Sequence, residues 1–198
     1  MLASITPLGE RSRNAHWPTT VVVYITGSTI AAGLVGGLLG LIGSVAIAPL
    51  LTLRTTFAVL AGAMLLGVAF DSRVAGLRLP TVHRQVDDAW LYRYRGWFYG
   101  AGFGAQFGIG VITVVNSSMT YVVLAAELLT ASPARGALIG TVFGLARSVV
   151  ILPGRRIQDS EQLGAFHLRL AAWDSNSRLA AYTTQGALGI IATVAAVR

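Results

Sequence analysis

From Thr19 to Leu53 the chain carries no charged side chain for 35 residues. About 20 helical residues cross a hydrocarbon core roughly 30 Å thick, so this stretch is long enough to span a bilayer and too long to be one straight span. It also far exceeds the apolar region of a secretory signal, about 7–15 residues. A retained membrane segment is therefore expected, preceded by a polar tail, Met1 to Pro18, that ends in an interfacial aromatic, Trp17. The rest of the chain agrees: 54% of its 198 residues are hydrophobic and 12% charged, against roughly 25% charged in a soluble domain. Such a composition predicts an all-α integral membrane bundle of about six transmembrane helices and no separate soluble catalytic domain.

The apolar runs place spans at about 25–48, 55–70, 96–115, 119–132, 134–152 and 179–197, with polar loops at 71–95 and 153–178. Asn116, Ser117 and Ser118 read as a tight turn between the third and fourth spans. Pro133 lacks an amide donor and disfavours helix at Ser132, so it is expected to separate the fourth and fifth spans; a single kinked helix is the alternative. With the N-terminus in the cytoplasm, this scheme puts nine arginines inside (11, 13, 73, 78, 84, 93, 95, 135 and 198) and five outside (54, 155, 156, 169 and 178). That asymmetry follows the positive-inside rule, although the outer loop after the fifth span is unusually basic.

All 15 basic residues are arginine, and the net charge is +7. They sit in short segments between apolar runs, where they orient a membrane protein, so no nucleic-acid partner is expected. The absence of cysteine from these residues excludes thiol catalysis and cysteine-ligated metals. The three histidines, His16, His83 and His167, lack ligand spacing, and neither a metal site nor a cofactor is expected. No nucleophile, base and orienter set points to an enzyme.

Glycine spacing is the most specific pattern. Gly96, Gly100, Gly104 and Gly108 recur every four residues, as do Gly136, Gly140 and Gly144, and the pairs Gly33 and Gly37, Gly36 and Gly40 interleave in the first span. Residues four apart share a helix face, and glycine there lets backbones approach closely where lipid supplies no hydrophobic drive for association. An offset of 64 residues also aligns Thr56–Leu65 with Thr120–Leu129, and Gly36 and Gly40 with Gly100 and Gly104. This is either a duplication that pairs the first hairpin with the second, or chance similarity between Ala/Leu/Gly-rich helices.

Polar groups inside the spans are few: Gln106, Glu127 and Arg147, with Arg135 near a membrane edge. A charge at bilayer depth costs about 2.5–3.5 kcal/mol on insertion scales, so these should face protein. Arg147 shares the glycine face of its helix. A turn at Pro133 would leave Glu127 and Arg147 about 12 Å apart in depth, which makes Arg135 the nearer candidate partner for Glu127. They are read either as a buried ion pair or a snorkelling arginine that fixes helix register, or as a proton or anion relay with Glu127 titrating and Arg147 fixed. Tyr92, Tyr94, Trp97, Phe98 and Tyr99, beside Arg93 and Arg95, read as an anchoring belt, with a lipid-headgroup or quinone-ring site as the sharper alternative.

The stretches Arg84–Leu91, Tyr94–Gly100 and Phe103–Gly108 resemble a group of actinobacterial-type multi-pass membrane proteins. The glycine-rich six-span pattern is more distantly similar to the cytochrome c biogenesis and disulfide-reductant transmembrane family. That family passes reducing equivalents through paired cysteines in broken helices, and this chain has no cysteine to which the mechanism could be assigned. The resemblance implies repeated helix groups around a central site and transport of a small solute. Two functions are therefore expected: a small carrier or permease-like protein for a small solute or protons, with a mid-membrane cavity at Gln106, Glu127 and Arg147, or a non-catalytic scaffold or accessory subunit of a larger membrane complex. Its partners would be the lipid of the cell membrane and other membrane subunits or further copies of itself.

Overall fold

The computed structural model describes residues 5–72, 79–81, 93–112, 115 and 117–197. Among these, seven α-helices form: α1 (Pro7–Ser12), α2 (Trp17–Ala46), α3 (Leu53–Asp71), α4 (Gly96–Ile109), α5 (Met119–Leu129), α6 (Pro133–Ser148) and α7 (Ser160–Val197). Short 3-10 turns at Ala48–Leu50 and Val149–Arg156 follow α2 and α6. The protein is an all-α membrane bundle. The helices at Trp17–Ala46, Leu53–Asp71, Pro133–Arg156 and Ser160–Val197 are long and apolar enough to cross a membrane, while α4 (14 residues) and α5 (11 residues) are shorter.

Local chemistry sets these boundaries. Pro18 occupies the first turn of α2, where its fixed φ suits a helix start and its missing N–H costs nothing, so α2 begins at Trp17 rather than near Ile25. The expected lead-in Thr19–Tyr24 is helical and buries Thr20, Val21 and Tyr24. Thr52 caps α3 through a reciprocal pair of bonds with Thr55. Pro133 is the first residue of α6, and Ala131 turns the chain into it at φ 44°. The polar stretch expected as a loop at 153–178 is helical from Ser160, continuous with the last span. Most of the other expected polar loop, 71–95, lies outside the described residues.

α2 is the spine, gripped on two faces by glycine-rich helices. Along α4, Cβ atoms added to Gly104 and Gly108 would collide with the carbonyls of Tyr24 and Ser28, and one at Gly100 would stand 2.8 Å from the Thr20 carbonyl. Numbers on both helices rise together, so α4 runs parallel to α2. On the other face Gly36 and Gly136 abut through their backbones, while Gly140 and Gly144 meet Ala32 and Ser28. Here numbers run oppositely, so α6 is antiparallel to α2.

That geometry corrects the expected hairpin between the third and fourth spans. α4 ends against Ser28, and Gly110 then stops it at φ 86°. Thr120 in the first turn of α5 lies beside Gly110, whereas Leu128 and Ala131 reach Gly43 near the far end of α2. α5 therefore continues in the direction of α4, and the two form one interrupted crossing. Ser117 and Ser118 lie at this break and not at an outer turn, and Asn116 lies outside the described residues. The repeat at offset 64 does not pair two hairpins, because α3 runs opposite in direction to α2 while α4 and α5 lie in line.

The break sits well inside the bundle. At about 1.5 Å per residue, Ser28 lies roughly 17 Å from the start of α2 and 27 Å from its end. α6 and its 3-10 extension then return to the N-terminal end, where Leu8 N donates to Ile157 O at 3.2 Å. Arg155 and Arg156 accordingly share an end with Arg11, Arg13, Arg93 and Arg95, opposite Arg54 and Arg135; the expected placement of Arg155 and Arg156 with Arg54 is corrected. α3 and α7 pack on each other and join the bundle mainly at α5.

Candidate functional site

Glu127 lies in the core and Arg147 is half-buried, and the two stand apart. The Arg147 guanidinium carbon is 4.2 Å from the Phe107 ring centroid and 5.2 Å from that of Phe143. Its Nη1 is buried without a hydrogen-bond partner and would be 3.2 Å from a Cβ at Gly110. The guanidinium thus lies beside the helix interruption, held by two ring faces. Gly110 is needed there twice, for its positive φ and for the room it leaves.

Glu127 is 2% exposed and its Oε2 has no hydrogen-bond partner. It lies where the two glycine stripes cross: a Cβ at Gly36 would be 3.1 Å from its Cδ, and one at Gly140 3.1 Å from its Oε1. Among the described residues no ion pair joins Glu127 to Arg147 or to Arg135, which is exposed near the start of α6. The expected Glu127–Arg135 partnership is therefore absent. Gln106 is partly buried on α4, one turn before the break.

The interruption is lined by polar residues that sequence reasoning missed. Buried backbone must find partners where water cannot enter. Asp71, the last residue of α3, accepts from Ser118 N at 2.8 Å, from Ser118 Oγ at 2.9 Å and from Ser117 Oγ at 3.0 Å. The carboxylate thereby caps α5 from a neighbouring helix, at the end where the helix dipole favours negative charge. Thr81 Oγ1 accepts from Val115 N at 2.8 Å. Gln185, fully buried on α7, donates to Met64 O and Ser118 Oγ, each at 3.1 Å. A glutamine in the last apolar run was the available signal.

A second buried carboxylate was equally hidden. Glu10, in the supposed polar tail, is fully buried and accepts from Thr20 Oγ1 at 2.7 Å, from Tyr99 OH at 2.6 Å and from Arg13 Nη2 at 2.7 Å. Burial opposes the charge on Arg13, but hydrogen bonds to Glu10 and Tyr99 outweigh it and hold the guanidinium above its ordinary value. α1 is thereby locked onto α2 and α4. Above this cluster a cleft of about 760 Å³ opens, lined by Arg13, His16, Arg93, Arg95 and neighbouring aromatics. None of Gln106, Glu127 and Arg147 lines it, so the cleft is not the mid-membrane cavity expected of a carrier. Among the described residues no group of three His, Asp or Glu could hold a metal ion.

Two curated relatives are similar in sequence to this chain. The methylamine utilization protein MauF of Paracoccus versutus is 29% identical over 181 residues, covering 87% of this chain and 65% of the relative. MauF of Methylorubrum extorquens is 28% identical over 156 residues, 74% of this chain and 51% of the relative. The chain thus spans between half and two thirds of their length. No solved structure matches. The family model for the cytochrome c biogenesis protein transmembrane region matches residues 2–157, which takes in α2, the interrupted crossing, Glu127 and Arg147. An all-helical bundle with a broken membrane crossing and a match over that length establish that the chain belongs to the cytochrome c biogenesis transmembrane-region family, as a member without cysteines.

Proposed function

We propose that the chain is a non-enzymatic carrier that moves a small anion, or protons coupled to one, through the centre of its bundle. Arg147 is the fixed binding charge and Glu127 the group that exchanges a proton; Gln106 is a polar contact on the entering half of the interrupted crossing. The carrying observation is the buried, unpartnered Arg147 Nη1 beside the helix break. The first turn of α5 adjoins the same place with its N-terminus already capped by Asp71, so the binding charge is that of the guanidinium, set where backbone groups are freed from helical bonding. A charge drawn toward the membrane interior without a carboxylate partner is expensive, and stacking on two rings offsets only part of that cost.

The arginine distribution supports a cytoplasmic N-terminus in the cell membrane. Arg11, Arg13, Arg93, Arg95, Arg155 and Arg156 gather at that end, and Arg54 and Arg135 lie at the other.

The test is proton flux in proteoliposomes enclosing a pH-sensitive dye, with chloride, nitrate or formate offered outside. Flux above protein-free vesicles should fall at least about tenfold in Arg147→Gln and Glu127→Gln, a change of about 1.4 kcal/mol or more in the barrier. Absence of flux, or flux unaltered in Arg147→Gln, refutes the reading.

One observation favours a second function, an accessory subunit of a membrane complex. Both glycine-lined faces of α2 are closed, and the curated relatives are named for methylamine utilization. A stoichiometric partner recovered from native membranes, together with silent vesicles, would select it.

A further inference from the structure

We propose that the cleft between α1 and the start of α4 is a phosphate-oxyanion site occupied by the headgroup of an anionic phospholipid. Its lining includes Arg13, His16, Arg93 and Arg95 and no acidic residue. The nearby carboxylate, Glu10, is turned inward and engaged by Thr20, Tyr99 and Arg13. It therefore holds Arg13 in place and offsets its charge, which leaves Arg93 and Arg95 to attract an anion into the cleft. Arg93 and Arg95 are exposed at the rim and supply the fork-shaped donors that suit phosphate oxygens.

The backbone points the same way. Arg95 is the N-cap of α4 and makes no side-chain capping bond, and Gly96 and Trp97 of the first turn line the cleft. A 14-residue helix thus presents its positive end to a basic cavity of about 760 Å³. The source of the anion follows from depth. Trp97 is 54% and Phe98 41% exposed on the same turn, as expected of aromatics at headgroup level. A lipid phosphate is held at that level by its own acyl chains, whereas a soluble anion must compete with bulk water.

Native mass spectrometry of the delipidated full chain, titrated with phosphatidylglycerol or with phosphatidylcholine of the same acyl chains, tests this. Phosphatidylglycerol should bind preferentially. The double variant Arg93→Gln/Arg95→Gln should lose roughly thirtyfold in that affinity, from about fivefold per arginine near a membrane surface. The variant Arg155→Gln/Arg156→Gln, with the same change in charge on exposed residues outside the cleft, should retain it. Inorganic phosphate is assayed in parallel by thermal shift. Arg93- and Arg95-dependent protection by phosphate, without lipid preference, would keep the oxyanion site and overturn its lipid occupant. Equal binding of the two lipids with no effect of phosphate, or a preference that persists in the Arg93/Arg95 variant, would overturn the site itself.

Discussion

Single glycines decide whether these helices can touch. At Gly104 a methyl group would drive into the Tyr24 carbonyl, and neither backbone can retreat without parting α4 from α2 along its length. Gly104→Ala should destabilise the protein by about 1–3 kcal/mol, the usual cost of overpacking, seen as a lower unfolding temperature in detergent. Gly62 is a control, because nothing lies within 4 Å of its added Cβ; Gly62→Ala should leave that temperature unchanged or slightly raised. The stripes were legible in sequence because four-residue spacing maps directly onto a helix face. Glu10 was not, since a carboxylate among polar neighbours is ordinarily solvated, and only the approach of Tyr99 from a distant part of the chain buries it. Glu127 and Arg147 were legible as isolated charges in apolar runs, but their lack of a common partner depends on depths that spacing alone does not fix.

Among the elements, the interrupted crossing departs furthest from expectation. Hydropathy marks where α4 and α5 begin and end but carries no sign of direction, and a pair of serines such as Ser117 and Ser118 looks the same at a surface turn and at a buried break. The distinction came from contacts: Gly108 against Ser28, then Leu128 against Gly43. Gly110 is the pivot. Gly110→Ala would force an L side chain into φ 86° and press it against Thr120 and Arg147. A loss of about 1–3 kcal/mol in stability is expected from the backbone alone, with lowered flux in the same vesicles used for Arg147. If Gly110→Ala matches the parent in both assays, the break is not held by its glycine.

Across the whole molecule, the count of crossings changes the topology. With α4 and α5 in line, α6 returns to the N-terminal end, and the basic segment at Arg155 and Arg156 no longer violates charge asymmetry. Because the chain has no cysteine, single cysteines introduced at exposed positions report sidedness without background. With a cytoplasmic N-terminus, Leu50→Cys and Arg135→Cys should react with an impermeant maleimide applied outside intact cells, and Arg156→Cys only after permeabilisation. External labelling of Arg156→Cys, with Arg135→Cys protected, would restore the six-span scheme.

The two ways in which helices are fastened have a mechanical corollary. α2, α4 and α6 meet backbone to backbone over whole faces, and such contacts give way all together or not at all. The α3–α7 pair meets α5 through side-chain bonds around Asp71, Ser118 and Gln185. Stiffness is therefore unequal across the molecule, and strain applied from the bilayer concentrates along the seam between that pair and the spine. This seam passes directly beside the broken crossing.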